Sequence, residues 1–191
     1  MPKLVDHDAR RRQIARAAME EIAAGGLDAL KLADVAARAG WTTGVLTHYF
    51  RNKEDLLKQA LQVTLDEVVR DLLVDAEDRG RDLPDLLRAW LPCHPGRMTG
   101  WKAWLAFVGS GQFSASDRQR HEAYYALMSE RIRQRLEGAP LRVEAQVAAD
   151  LLLAFFDGLS TRVIMEPEQW PRARQEALLA SYIGCLFGAR A

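Results

Sequence analysis

Five residues within one short window, Thr42, Thr43, Gly44, Thr47 and His48, have the chemistry to recognise a polyanion. A hydroxyl or backbone N–H at the start of a helix can hold phosphate, and a side chain one turn later can meet a base edge. Gly44 removes bulk where a backbone would have to approach a duplex. The same threonines can serve only as helix caps and Gly44 can only ease packing, so both readings stand at this point. Lys53 falls in the first turn of a later helix, where the helix dipole disfavours its charge unless an anion lies nearby; a simple solvated lysine is the alternative. Arg10, Arg11, Arg12 and Arg16 gather near the beginning of the first helix, also the unfavourable end for positive charge. Arg11 and Lys31 join the candidate surface, and Lys3 and His7 on a loose arm are available to reach phosphate.

These side chains need elements to position them. Leu32, Val35 and Ala36 give a helix over about 32–39 one apolar face, and Ala39-Gly40 ends it where glycine permits a tight turn. Thr42 or Thr43 then caps a helix of about 43–49, with Val45, Leu46, Tyr49 and Phe50 inward and Thr47 and His48 outward. Two short helices around a glycine turn suit a helix-turn-helix whose second helix enters a major groove. Before them, Asp8 is expected to cap a helix of about 9–24 that buries Ile14, Ala17, Ala18 and Ile22. Gly25-Gly26 closes it, with Leu27 and Leu30 packed beyond. Three short helices have little core of their own, so support must come from downstream.

Asn52 is a good cap for a fourth helix of roughly 26 residues, nearly 40 Å at 1.5 Å per residue, long enough to act as a lever. Its apolar positions run from Leu56, Leu57, Ala60, Leu61 and Leu65 to Val68, Val69, Leu72 and Leu73. Gly80 is expected to end it and Asp82 to start a helix of about 83–91, before Pro92, Pro95 and Gly96 break the pattern. WKAWLAFVG marks a helix over about 98–109, interrupted by Ser110-Gly111-Gln112. Ser114 or Ser116 caps the next, about 117–137, with Tyr124, Leu127, Met128, Ile132 and Leu136 inward. Gly138-Ala139-Pro140 ends that run, and helices of about 142–165 and 168–187 follow. The fold class is all-α with about nine helices: a DNA-binding helix-turn-helix domain over 1–51, then a helical effector-binding and dimerisation domain over 52–191.

The second domain is rich in rings. Trp90, Trp101, Trp104, Phe107 and Tyr124, with Tyr125, Met128, Phe155 and Asp157, are candidates to line a pocket for an apolar or cationic small molecule, since aromatic walls favour quaternary amines. Core packing is the competing reading for each ring, and Asp157 can pair with Arg162 instead. The last two helices are apolar enough to pair across a two-fold axis, through Leu152, Phe156 and Leu159 of one and Leu178, Leu179, Tyr182, Ile183 and Leu186 of the other. A homodimer would set two reading helices about 34–36 Å apart on a palindromic or near-palindromic operator.

Composition narrows the alternatives. With 191 residues, 49% hydrophobic and 27% charged, the chain is long enough for one sizeable core or two small ones and is not of disordered type. Net charge is zero, but residues 1–58 hold ten Lys or Arg against eight Asp or Glu, a mild local excess of the sign DNA requires. Two isolated cysteines and four scattered histidines show no ligand spacing, so no metal or other cofactor is expected. No run has the length of a membrane span and the first residues lack the apolar core of a secretory signal, so a cytoplasmic protein is expected. An enzyme is the main reading of another class: Asp117, Arg118, His121, Glu122 and Tyr125 lie at nearby helical positions, but no nucleophile motif or phosphate loop accompanies them. A helical dimer that binds DNA nonspecifically, or serves as a protein-interaction module, is a second.

The stretch KLADVAARAGWTTGVLTHYFRNK also resembles the TetR family of bacterial transcriptional regulators. The resemblance rests on Val35-Ala36, Ala39-Gly40, Thr42, Gly44, Leu46, Tyr49-Phe50 and Lys53. It implies a ligand-responsive regulator, most often a repressor, with phosphate contacts from the Tyr49 hydroxyl and Lys53. Three positions depart from the pattern: Lys31 stands where a capping Thr is usual, Trp41 replaces a small aliphatic residue, and Thr47 replaces a frequent Tyr. WKAWLAFVG, HEAYYAL and LLLAFFDGLSTRVIM resemble the BetI-like branch of that family, in which some relatives respond to choline; this implies an effector pocket without fixing its ligand.

Overall fold

The computed structural model of the chain describes residues 6–69, 83–109 and 114–188. Among these residues there are nine α-helices, one 3-10 turn and no strand, as an all-α fold requires. The expectations for Lys3, Leu72, Leu73, Gly80, Asp82 and Ser110-Gly111-Gln112 lie outside the described residues, as do those for the side chains of Val68 and Val69. No described helix is long and apolar enough to cross a membrane.

The chain packs as two compact units. The first comprises 6–68 and 99–109 of the described residues. Its helices are α1 (His7–Ala29), α2 (Leu32–Ala39), α3 (Thr43–Tyr49), α4 (Lys53–Val69) and the latter part of α6 (Pro95–Gly109). Asp6, not Asp8, caps α1: its carboxylate accepts from the Ala9 amide at 2.9 Å, which places Asp8 in the first turn, where a negative charge also suits the dipole. Gly26, at φ 81°, breaks the helical path within α1 and directs Leu30 into the core.

The α2–α3 connection follows from local chemistry. Gly40 adopts φ 74°; its amide donates to the Ala37 carbonyl at 3.1 Å and the Trp41 amide to the Ala36 carbonyl at 2.9 Å, satisfying two orphan carbonyls at once. Thr42 caps α3, accepting from the Val45 amide at 3.4 Å, whereas Lys31 gives α2 no side-chain cap. Asn52 caps α4 through the Asp55 amide at 2.8 Å. Ile14, Ala18 and Ile22 of α1 share one buried cluster with Val35, Ala36, Leu46 and Phe50. The support a three-helix unit lacks comes from Leu56 and Ala60 of α4 and Ala103 of α6.

The second unit holds α5 (Leu83–Trp90), the start of α6, α7 (Ala115–Leu136), α8 (Ala145–Met165), a 3-10 turn (Pro167–Gln169) and α9 (Arg172–Leu186). Pro95 opens α6 instead of breaking the chain: proline lacks the N–H that the first helical position leaves unused, and the Arg97 amide donates to the His94 carbonyl behind it at 2.9 Å. Ser114 and Asp117 form a reciprocal capping box on α7. The final helix begins at Arg172, later than expected, because the 3-10 turn and Pro171 intervene.

Leu127 is 41% exposed, while Met128, Ile132 and Leu136 form the inward face of α7. Gln146 donates to Ser129 Oγ at 2.6 Å, and that hydroxyl donates to Asp150 at 2.6 Å, joining α7 to α8. Gln175, itself buried, accepts from the Cys93 amide at 3.1 Å and donates to the Trp170 carbonyl at 2.8 Å.

Candidate nucleic-acid interface

Capped at Thr42 and anchored by Leu46, Tyr49 and Phe50, α3 leaves Thr42, Thr43, Gly44, Thr47 and His48 exposed together. The Thr47 hydroxyl donates to the Gly44 carbonyl at 3.0 Å, so its lone pairs face solvent and a modest rotation would free its proton. The His48 ring meets the Tyr49 ring edge-on at 5.5 Å and makes no hydrogen bond among the described residues. Arg11 and Lys31 are exposed.

Two expected phosphate donors already have protein partners. The Tyr49 ring is buried, and its hydroxyl lies 3.0 Å from His7 Nδ1. Lys53 Nζ donates to the Leu27 carbonyl at 2.9 Å, beside the break at Gly26. The Leu27 carbonyl also accepts from the Leu30 amide at 3.3 Å, and its bond with Lys53 leaves the ammonium two further donors. The pattern in the sequence could not show these contacts, because 26 and 42 residues separate the partners.

Trp41, one of the departures from the family pattern, turns out to be central. Its Nε1 donates to Gln13 Oε1 at 3.3 Å, and Gln13 Nε2 donates to the Ala39 carbonyl at 2.9 Å. The Arg10 guanidinium lies over the indole, 4.5 Å from its centroid. Arg38 is paired with Glu20 and Glu21. Arg12, Arg16, Arg38 and Glu20 line an open cleft of about 350 Å³ between α1 and α2.

In the second unit the expected ring set divides. Trp90 is buried with its ring 4.6 Å from that of Phe156, and Met128 is fully buried, so both pack in the core of this unit. Leu152, Phe156, Leu159, Leu179 and Leu186 are likewise buried inside the single chain and cannot form an interface surface. The hydrophobic pattern marked them correctly as apolar but could not tell a seam within the chain from one between chains. Arg162 pairs with Glu166 at 3.0 Å, not with Asp157.

Asp157 accepts from the Tyr125 hydroxyl at 2.8 Å. His121 stacks on Tyr125 at 4.5 Å, and Tyr124 meets Tyr125 edge-on at 5.6 Å. Burial pushes the Asp157 carboxyl above its ordinary range, against the opposing pull of the Tyr125 bond and of His121. Burial, reinforced by the Asp157 charge, raises Tyr124 as well, opposed by Arg97. The group is a partly desolvated acid edged by aromatic rings. Phe155 stacks on Tyr182 at 4.4 Å. Trp101, Trp104 and Phe107 are half-buried in the first unit, the last two rings stacked 6.5 Å apart. Among the described residues no group of three or more His, Cys, Asp or Glu is placed to hold a metal.

Comparison with known proteins bears on this arrangement directly. Residues 14–60 match the model for bacterial regulatory proteins of the tetR family, and residues 79–188 match the model for the BetI-type transcriptional repressor C-terminal region. The chain belongs to the TetR family. The regulator BetI 1 of Chromohalobacter salexigens is 33% identical over 188 residues, covering 93% of this chain and 91% of the relative. A transcriptional regulator from Rhodococcus sp. Rha1 is 27% identical, with a TM-score of 0.78 over 92% of this chain and 95% of that one. A regulator from Saccharomonospora viridis crystallised with choline shares the fold, with a TM-score of 0.73 at 21% identity over 93% of this chain and 96% of that one. The TetR family and these homologues are transcriptional regulators, a non-enzymatic class whose members bind DNA and small-molecule effectors. Asp117, which stood among the enzymatic candidates, is the reciprocal partner in the α7 capping box.

Proposed function

We propose that the protein is a cytoplasmic, ligand-responsive repressor that binds a palindromic operator as a homodimer and is released by a small effector. The observation that carries this reading is the exposed set on a capped α3 whose opposite face is locked into the core. Rigid presentation of hydroxyls at the helix start and of Thr47 and His48 one turn on is what groove reading needs. In this reading residues 1–51 supply the DNA-binding domain and residues 52–191 the effector and dimer functions.

Dimerisation has a surface available. Val147 is 44% exposed, Leu151 39% and Leu178 38%. Val147, Leu151 and Phe155 follow one another at four-residue spacing on α8, as Leu178 and Tyr182 do on α9. The Tyr182 hydroxyl donates to the Leu151 carbonyl at 2.9 Å, so the two stripes adjoin. A two-fold pairing of this face would form a four-helix seam.

For the effector, the carboxylate of Asp157 among Tyr125, Tyr124 and His121 favours an organic cation over a neutral apolar molecule, since both charge and ring faces attract it. The choline complex of the S. viridis regulator makes quaternary amines the first class to screen. An effector that binds the DNA-incompatible dimer spacing more tightly shifts the population toward it. A tenfold loss of repression requires a coupling of about 1.4 kcal/mol. Selection of bound DNA from a random duplex pool, followed by a screen of amines for release of the winner, tests the whole reading. Recovery of sequences without two-fold symmetry would overturn it.

A further inference from the structure

Trp41 packs against the core of the first unit, but core packing does not require a guanidinium over the outer face of its indole. Arg10 is half-buried and, among the described residues, no carboxylate pairs with it. Its guanidinium instead lies over the Trp41 indole at 4.5 Å, and that ring is held in turn by Gln13 and, through Gln13, by the Ala39 carbonyl. Stacking restrains a long side chain without using its N–H donors. The indole belongs to the residue before Thr42, the cap of α3, so the cation is tied to the turn that leads into that helix.

We propose that Arg10 contacts an operator phosphate beside each reading helix and that Trp41 is its positioning residue, an inference that rests on the DNA-binding reading above. A guanidinium pinned by its face offers its edge, which matches two phosphate oxygens, and pre-ordering lowers the entropy lost on binding. It also supplies fixed positive charge to a domain whose overall excess is small. Arg11, exposed and without a restraining ring, is the less favoured contact of the two.

The test is titration of the full-length dimer on selected operator and scrambled duplex at several salt concentrations. For Arg10→Ala, operator and scrambled affinities should both fall by the same factor, on the order of tenfold near 0.1 M salt, and the slope of log K against log salt should shrink by about two, one phosphate per protomer. Trp41→Val should cost a smaller factor, about threefold, with the slope kept, because the charge remains. The double variant should bind no more weakly than Arg10→Ala alone. Arg10→Gln, which keeps most of the side-chain volume, should repeat the slope change if Arg10→Ala folds poorly. An unchanged slope with a lowered melting temperature would show that Arg10 only fastens α1 to the turn, and multiplicative losses in the double variant would show that Trp41 does not position it. Either result overturns the proposal while leaving operator selection by the parent intact. A parent protein that selects no symmetric duplex would instead remove the reading on which the proposal stands.

Discussion

At the scale of residues, the proposed reading surface separates into groups that are free to choose and groups already committed. Among the described residues, Thr47 and His48 are tied only to their own helix or to a ring edge, so Thr47→Ala and His48→Ala should change sequence preference with little loss of stability. Lys53 bonds the Leu27 carbonyl across the break in α1. Lys53→Ala should therefore lower affinity on all sequences and also cost about 1.5 kcal/mol of stability, the low end for a hydrogen bond from a charged group that is partly exposed. Titrations on operator and scrambled duplex together with denaturant unfolding check both; a loss of preference in Lys53→Ala without a change in stability would contradict the assignment.

Asp157 makes a prediction of opposite character. Its carboxyl is raised above 3.8, chiefly by burial, so the folded state holds the proton more tightly than the unfolded chain. That contribution to stability is fully present below pH 3.8 and is lost as pH rises through the raised value. Asp157→Asn should flatten melting temperature against pH in that window. Tyr125→Phe should shift the loss to higher pH, because it removes the bond that favours the charged form. Identical pH profiles for the parent and both variants would contradict this.

Among the elements, the two connections that matter most are both local. Gly40 holds φ 74°, a conformation strained for any residue with a Cβ, although the space around it is open. Gly40→Ala should cost about 1 kcal/mol and loosen the α2–α3 angle. Loss of operator affinity should exceed that of nonspecific affinity, because register suffers before charge does. Ser114→Ala, at the capping box of α7, should cost a similar ~1 kcal/mol without touching DNA preference. Circular dichroism melts paired with binding titrations separate the two cases.

For the molecule as a whole, burial decides which apolar residues stabilise one chain and which are free to join two. Phe156 is fully buried against Trp90, and Phe156→Ala should destabilise by about 3–5 kcal/mol. Leu178 is exposed on the face it shares with Leu151, so Leu178→Glu should leave the melting temperature within a few degrees of the parent and yield monomers in sedimentation. Operator affinity should then fall at least a hundredfold through loss of the second half-site. A folded, dimeric Leu178→Glu would move the seam elsewhere.

Residues close in sequence settled much on their own. The limits of α2 and α3, the caps at Thr42, Asn52 and Ser114, and the turn at Gly40 depend on neighbours within a few positions, where side-chain type dictates the outcome. The TetR pattern lay in the same short reach. What only the tertiary structure decided joins positions far apart: Tyr49 with His7, Lys53 with Leu27, Arg10 with Trp41, Tyr125 with Asp157. The same holds for the division of α8 and α9, where periodicity identified an apolar residue at Phe156 and at Leu178 alike. Periodicity measures how apolar a helix face is, and only the packing of one helix on another fixes which stripe goes to the core and which to the surface.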